Sequence, residues 1–160
     1  MKKSFAALAG ILLTGAVAGT AIGESHADPA VMAAIKARQS TMTLYAFNLG
    51  LLGGMAKGAV PYDAEAASKA AGNLAALTKL DQSRMWPQGS DNFALGDATA
   101  ALPAIWDEGS DIGAKGMALA AAADAMEAAA GAGLESLQGA MGALGGACGA
   151  CHKAYRQPSN

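Results

Sequence analysis

Histidine and cysteine are nearly missing from this chain: in 160 residues each occurs twice. Runs of lysine or arginine are missing too, so no basic surface is available to neutralise nucleic-acid phosphates, and no nucleic-acid partner is expected. β-branched residues are few beside alanine, leucine, methionine, glutamate and lysine, and no strand signal is present. Without strands there is no βαβ frame for a thioredoxin-like dithiol.

The opening "MKKSFAALAGILLTGAVAGTAIGESHA" reads as an address rather than as structure. Lys2 and Lys3 precede an apolar stretch from Phe5 to Ile22, and Ser25-His26-Ala27 forms a small-x-small cleavage site. Residues 1–27 are therefore expected to be a cleaved signal peptide, with the mature domain spanning 28–160. Export to a bacterial periplasm is expected, with no membrane anchor after cleavage. Loss of Lys2, Lys3 and Glu24 would leave 9 basic and 12 acidic residues, a formal charge of −3. About 133 residues would remain, enough for one domain with one core. His26 would leave as well, making His152 the lone histidine.

Four segments carry helical stripes. Pro29 to Lys57 repeats Val31, Ile35, Arg38, Met42, Tyr45, Leu49 and Leu52 in fours and threes. Tyr62 to Leu80 places Ala67, Ala70, Leu74 and Leu77 on one face, with Pro61 and Asp63 marking its start. Pro103 to Ala129 carries Ile105, Ile112, Leu119 and Met126 at seven-residue intervals, and Leu134 to Arg156 carries Leu134, Leu137, Met141, Leu144, Cys148, Cys151 and Tyr155. The fold class predicted is all-α, an antiparallel four-helix bundle. Its one long connection, Asp81 to Ala98, holds Pro87, Gly89 and Gly96 and is expected to be non-helical. Met55, Met117, Met126 and Met141 lie at helical spacings and are expected to pack; Tyr45 is expected in the core or at an interface.

The tail holds the run CGACH, with Cys148, Cys151 and His152. A redox dithiol, a zinc half-site, a structural disulfide and covalent haem attachment compete for it. Zinc lacks further Cys or His ligands in the mature chain. A local disulfide suits an oxidising compartment but leaves the histidine unexplained. Haem attachment uses all three: thiols at i and i+3 share a helical face and can add to two vinyl groups, while the next residue offers an imidazole to the iron. The nearby Gly142, Gly145, Gly146 and Gly149 would suit close approach of a macrocycle or a backbone, or simply close helix packing. Arg38 interrupts an apolar stripe, where a charge needs a partner; a haem propionate would supply one, with Gln39 beside it, unless the long stem reaches solvent.

Arg38-Gln39-Ser40-Thr41-Met42, Trp86-Pro87-Gln88-Gly89-Ser90, Pro103-Ala104-Ile105-Trp106 and the terminal CGACHKAYR together resemble cytochrome c′, the class II c-type cytochromes. The resemblance covers essentially the whole mature chain. It implies a homodimeric bundle with one covalent haem c per subunit on Cys148 and Cys151, His152 as axial iron ligand, and the sixth position usually empty. It further implies propionate contacts from Arg38 and Gln39, Met42 over the distal face, Arg156 near the proximal pocket, and contacts around Thr99 and Ala100, where Ala100 replaces a commonly polar residue. The function implied is binding of small gases such as nitric oxide and carbon monoxide, with a possible redox role through an unknown periplasmic partner. A low-spin electron carrier of the cytochrome c556 type, with Met42 on the iron, is the alternative. No distal acid or base offers itself for catalysis, so an enzyme is not expected. Trp86 and Trp106 are expected at the haem edge or in the core.

Overall fold

Helix α1, Pro29–Ala56, starts where Asp28 caps it: the Asp28 carboxylate accepts the Ala30 N–H at 2.8 Å, and Pro29 takes the position where no N–H is needed. The computed structural model describes residues 28–158, so the expected signal peptide lies outside the described residues. α1 closes at Lys57 and the chain reverses through Gly58 (φ 72°). α2, Ala64–Thr78, is capped by Asp63, whose carboxylate accepts from the Ala66 N–H at 2.7 Å. After a long connection come α4, Ile112–Ala130, and α5, Leu134–Tyr155. No helix among the described residues is long and apolar enough to cross a membrane.

These four helices close a ring in which α1 packs on α2, α2 on α4, α4 on α5, and α5 back on α1. Leu52, Met55, Leu74, Met126, Leu137 and Leu144 fill its centre beside Ala67, Ala71, Ala75, Ala123 and Ala130. Alanine on the inward faces of α2 and α4 lets those two backbones draw together, while leucine and methionine from α1 and α5 supply the bulk. Two polar ties fix the registers. Asn48, buried in α1, donates to the Leu44 carbonyl at 2.8 Å and accepts from Asn73 of α2 at 3.0 Å. The Tyr62 hydroxyl donates to the Ala130 carbonyl at 2.8 Å and accepts the Gly133 N–H at 3.0 Å, clamping the turn between α4 and α5.

Three expectations need correction. The third long helix does not run from Pro103. Pro103–Trp106 is a separate 3₁₀ turn, Gly109 takes φ 88°, and α4 begins at Ile112. Ile105 and Ile112 kept the seven-residue interval across a break, because such an interval records register and not continuity. The connection is not wholly irregular either: it holds 3₁₀ turns at Ser83–Met85 and Gly96–Ala98 around the short helix α3, Asn92–Leu95. Asp91 starts α3 by accepting from the N–H groups of Phe93 and Ala94. Of the methionines expected to pack, Met55 and Met126 are buried and Met141 lies against the core, but Met117 is 70% exposed. The α4 stripe turns inward at Leu119, Ala123 and Met126, leaving Met117 outside it.

Leu52 has no exposed surface and sits in the middle of the ring. Leu52→Ala should cost about 2–5 kcal/mol of unfolding free energy, measured by chemical denaturation with the midpoint moved and the slope unchanged.

Candidate functional site

The last turns of α5 carry Cys148 and Cys151 on one face, both half-buried and both free thiols. Burial pushes each thiol above the usual cysteine range; at Cys151 the Lys115 charge pulls the other way. A redox-active dithiol needs the reverse, a thiol held low and exposed. His152 follows on the exposed flank, its proton affinity lowered by partial desolvation and then by the Arg156 charge, which favours a neutral imidazole with a free lone pair. Facing Cys148 between α1, α2, α4 and α5 is a small apolar cleft, lined by Tyr45, Leu49, Leu74, Leu119, Ala123 and Leu144. Tyr45 is its polar member. Its hydroxyl is buried with no hydrogen-bond partner, and burial raises it above the usual phenol range even though the Gln82 side chain approaches.

Among the described residues, nothing outside helix α5 lies within 4 Å of where a Cβ would stand on Gly142, Gly145, Gly146 or Gly149. No other helix of the same chain packs on these glycines. The face remains open, and Gly145 and Gly149 share it with His152 at spacings of four and three.

Arg38 is 3% exposed, so its stem does not carry the charge to solvent. Its guanidinium is taken up by the long connection. Nη1 donates to the Met85 carbonyl at 3.2 Å and to Ser90 Oγ at 2.7 Å; Nη2 donates to the Ser90 carbonyl and to Thr99 Oγ1 at 2.9 Å. The Trp86 ring stacks on it at 4.8 Å, and Trp106 Nε1 donates to the Trp86 carbonyl at 3.1 Å. Burial lowers the proton affinity of Arg38, and the Asp91 carboxylate opposes that. Sequence reasoning singled out Arg38 and Thr99 separately; the structure joins them and adds Met85 and Ser90, which it had not singled out as site residues. Contacts between residues roughly fifty apart leave no local signal in the sequence.

The other expected residues are spread around this clasp. Gln39 Nε2 donates to the Ala98 carbonyl at 2.9 Å. Met42, one turn beyond Arg38, is 39% exposed. Ala100 is exposed and offers its backbone carbonyl to the Gln157 N–H at 2.8 Å. Arg156 pairs with Ala101 in an isolated bridge, and its N–H closes α5 on the His152 carbonyl at 3.1 Å. At the end of α5 the Tyr155 hydroxyl donates to Asp111 Oδ1 at 2.5 Å and accepts the Asp111 N–H at 2.9 Å. Tyr155 was legible as a core position, but its partners were not.

The arrangement is a helical bundle with two thiols and an imidazole brought together on its last helix. A sequence model of the family described as Cytochrome C′ matches residues 33–156. A curated relative, cytochrome c-554 of Cereibacter sphaeroides, is 52% identical over 125 residues, covering 77% of this chain and 80% of its own. Among solved structures, cytochrome c′ from Rhodobacter sphaeroides superposes with a TM-score of 0.77 at 40% identity, covering 81% of this chain and 98% of the other. A ferrous variant of cytochrome c′ from Alcaligenes xylosoxidans with bound NO gives a TM-score of 0.66 at 32% identity, covering 79% and 94%. The chain belongs to the cytochrome c′ family, whose members carry covalently attached haem c.

The residues fit that group. Two free thiols lie on one face, a histidine follows them, the glycine face beside that histidine is open, and a buried hydroxyl in the adjoining cleft lacks a partner. Cys148 and Cys151 would hold the haem and His152 would coordinate its iron, which supplies redox chemistry and a coordination site for small ligands.

Arg38→Leu would strip the Ser90 and Thr99 oxygens of a buried donor. It should cost about 2–3 kcal/mol in chemical denaturation and speed amide exchange selectively across residues 82–101.

Proposed function

We propose that this protein is an exported, periplasmic haem c protein that binds small neutral diatomics such as nitric oxide and carbon monoxide at a five-coordinate, high-spin iron ligated by His152. The observation that carries the reading is the lining of the cleft at Cys148: five aliphatic side chains, one half-buried thiol, the Tyr45 ring with its single hydroxyl, and no charged group. Such a wall solvates neutral diatomics and penalises hydrated anions. Support also comes from the relative whose structure holds NO. Met42 acts as a roof in this reading, a flexible thioether that yields to a small ligand and hinders a large one. Arg38 and Gln39 anchor the propionate side through the clasp they form with the long connection, with Thr99 and Ala100 shaping its edge and Arg156 guarding the proximal side.

The exposed apolar side chains of α1 support a homodimer. Leu44 is 49% and Phe47 77% exposed, three residues apart and so on one face. Binding and electron transfer, rather than catalysis, suit a site whose one histidine is committed to iron.

A second reading makes the protein an electron carrier with the Met42 sulfur on the iron. Two observations favour it: Met42 is only partly packed, which leaves its thioether free to swing inward, and the relative at 52% identity is named cytochrome c-554 rather than cytochrome c′.

Two measurements test the proposal. Intact mass of the denatured, exported protein should equal the chain from Asp28 plus one haem; a haem extractable by acid acetone would contradict attachment at Cys148 and Cys151. The ferric protein should be high-spin by EPR and optical spectroscopy, and Met42→Ala should strengthen carbon monoxide binding while leaving the iron high-spin. A low-spin spectrum converted to high-spin by Met42→Ala would establish the second reading instead.

A further inference from the structure

Beside the attachment site, α4 and α5 share a cluster of charged and polar groups to which neither gas binding nor attachment gives a use. Tyr155 is 8% exposed and stands one turn past Cys151 on the same face. Its hydroxyl is held three times: it donates to Asp111 Oδ1 at 2.5 Å, accepts the Asp111 N–H at 2.9 Å, and accepts from Ser110 Oγ at 3.1 Å. The other carboxylate oxygen of Asp111 pairs with Lys115 Nζ at 3.1 Å. The Lys115 side chain is only 22% exposed, whereas that of Asp111 is 57% exposed. Both charges are felt at the Cys151 thiol, with opposite signs.

We propose that Lys115 and Asp111, fixed in place by Tyr155, form a charge pair that sets the reduction potential of the haem at Cys151. The physical basis is the asymmetry of the pair. A cation near the macrocycle disfavours the ferric state, which carries one more positive charge than the ferrous, and an anion favours it. Lys115 is the better shielded from water, so its field reaches further than that of Asp111, which solvent and salt screen. The net effect is a raised potential. Tyr155 is a positioning residue here: by engaging Oδ1 it turns Oδ2 toward Lys115, and it ties the start of α4 to the end of α5. The inference requires haem at Cys151 and is independent of whether the iron has five or six ligands.

The experiment is a potentiometric titration of the haem-loaded protein and its variants, with a denaturation curve for each. Lys115→Met should move the midpoint potential negative and Asp111→Asn should move it positive, while the double variant should fall between the two. Lys115→Arg should keep the wild-type potential, since it keeps the charge. Raising the salt concentration should shrink the Asp111→Asn shift more than the Lys115→Met shift. Tyr155→Phe should reduce the shift caused by Asp111→Asn, a coupling that loss of stability alone does not produce. If Lys115→Met lowers the yield of holoprotein, Lys115→Gln carries the same expectation. Shifts of the same sign from the two single variants, or no shift from either, would overturn the proposal. The spectrum that separates five- from six-coordinate iron is read on the wild type, so its outcome and this one are independent.

Discussion

A guanidinium can be buried only where oxygen atoms wait for it. Arg38 meets that condition by gathering the Met85 carbonyl, both oxygens of Ser90 and the Thr99 hydroxyl under the Trp86 ring. Much of the architecture around the site follows from this one requirement. The long connection between α2 and α4 has to fold back onto α1 at a fixed height, and its short helical turns space the acceptors correctly. The 3₁₀ turn at Pro103–Trp106 then lies where Trp106 can reach the Trp86 carbonyl. Helix α5 is fixed to the same strap through Arg156 and Ala101, and through Gln157 and Ala100. The buried charge thus links the first helix of the bundle to the last.

Polar contacts at the two ends of the bundle divide the work between them. At the Tyr62 end, one hydroxyl seals the turn between α4 and α5 with neutral hydrogen bonds. Toward the end of α5 the contacts include charged groups, the Lys115–Asp111 pair held by Tyr155 and the buried Arg38 held by the connection. The first end gives the bundle its register. The second would place fields of both signs beside a haem held at the cysteines, in a medium where charges act over longer distances than in water.

Helix existence and type were legible in the sequence because the stripes of α1, α2 and α5 repeat in threes and fours through their whole length. The grouping of Cys148, Cys151 and His152 was visible for a different reason: both cysteines of the chain and one of its two histidines stand within five residues. The start of α4 was hidden because Ile105 and Ile112 stay in register across Gly109. The partners of Arg38 and Tyr155 were hidden because long-range pairings depend on where a connection of some thirty residues is laid down. Met117 shows the limit of spacing as evidence: a methionine can lie at a helical interval from buried ones on an alanine-rich helix and still face water.

The open glycine face of α5 has a bearing on how the protein matures. Gly139, Gly142, Gly145, Gly146 and Gly149 each lower helix stability by about 1 kcal/mol relative to alanine, and none has a protein neighbour within 4 Å of its missing Cβ. Little within the chain compensates that loss on the stretch leading to the cysteines. The attached group is the natural source of compensation, since it can cover backbone that the protein leaves bare. Attachment would therefore also help to order the glycine-rich stretch that leads to the cysteines, while Tyr155 and Arg156 hold the helix end beyond them.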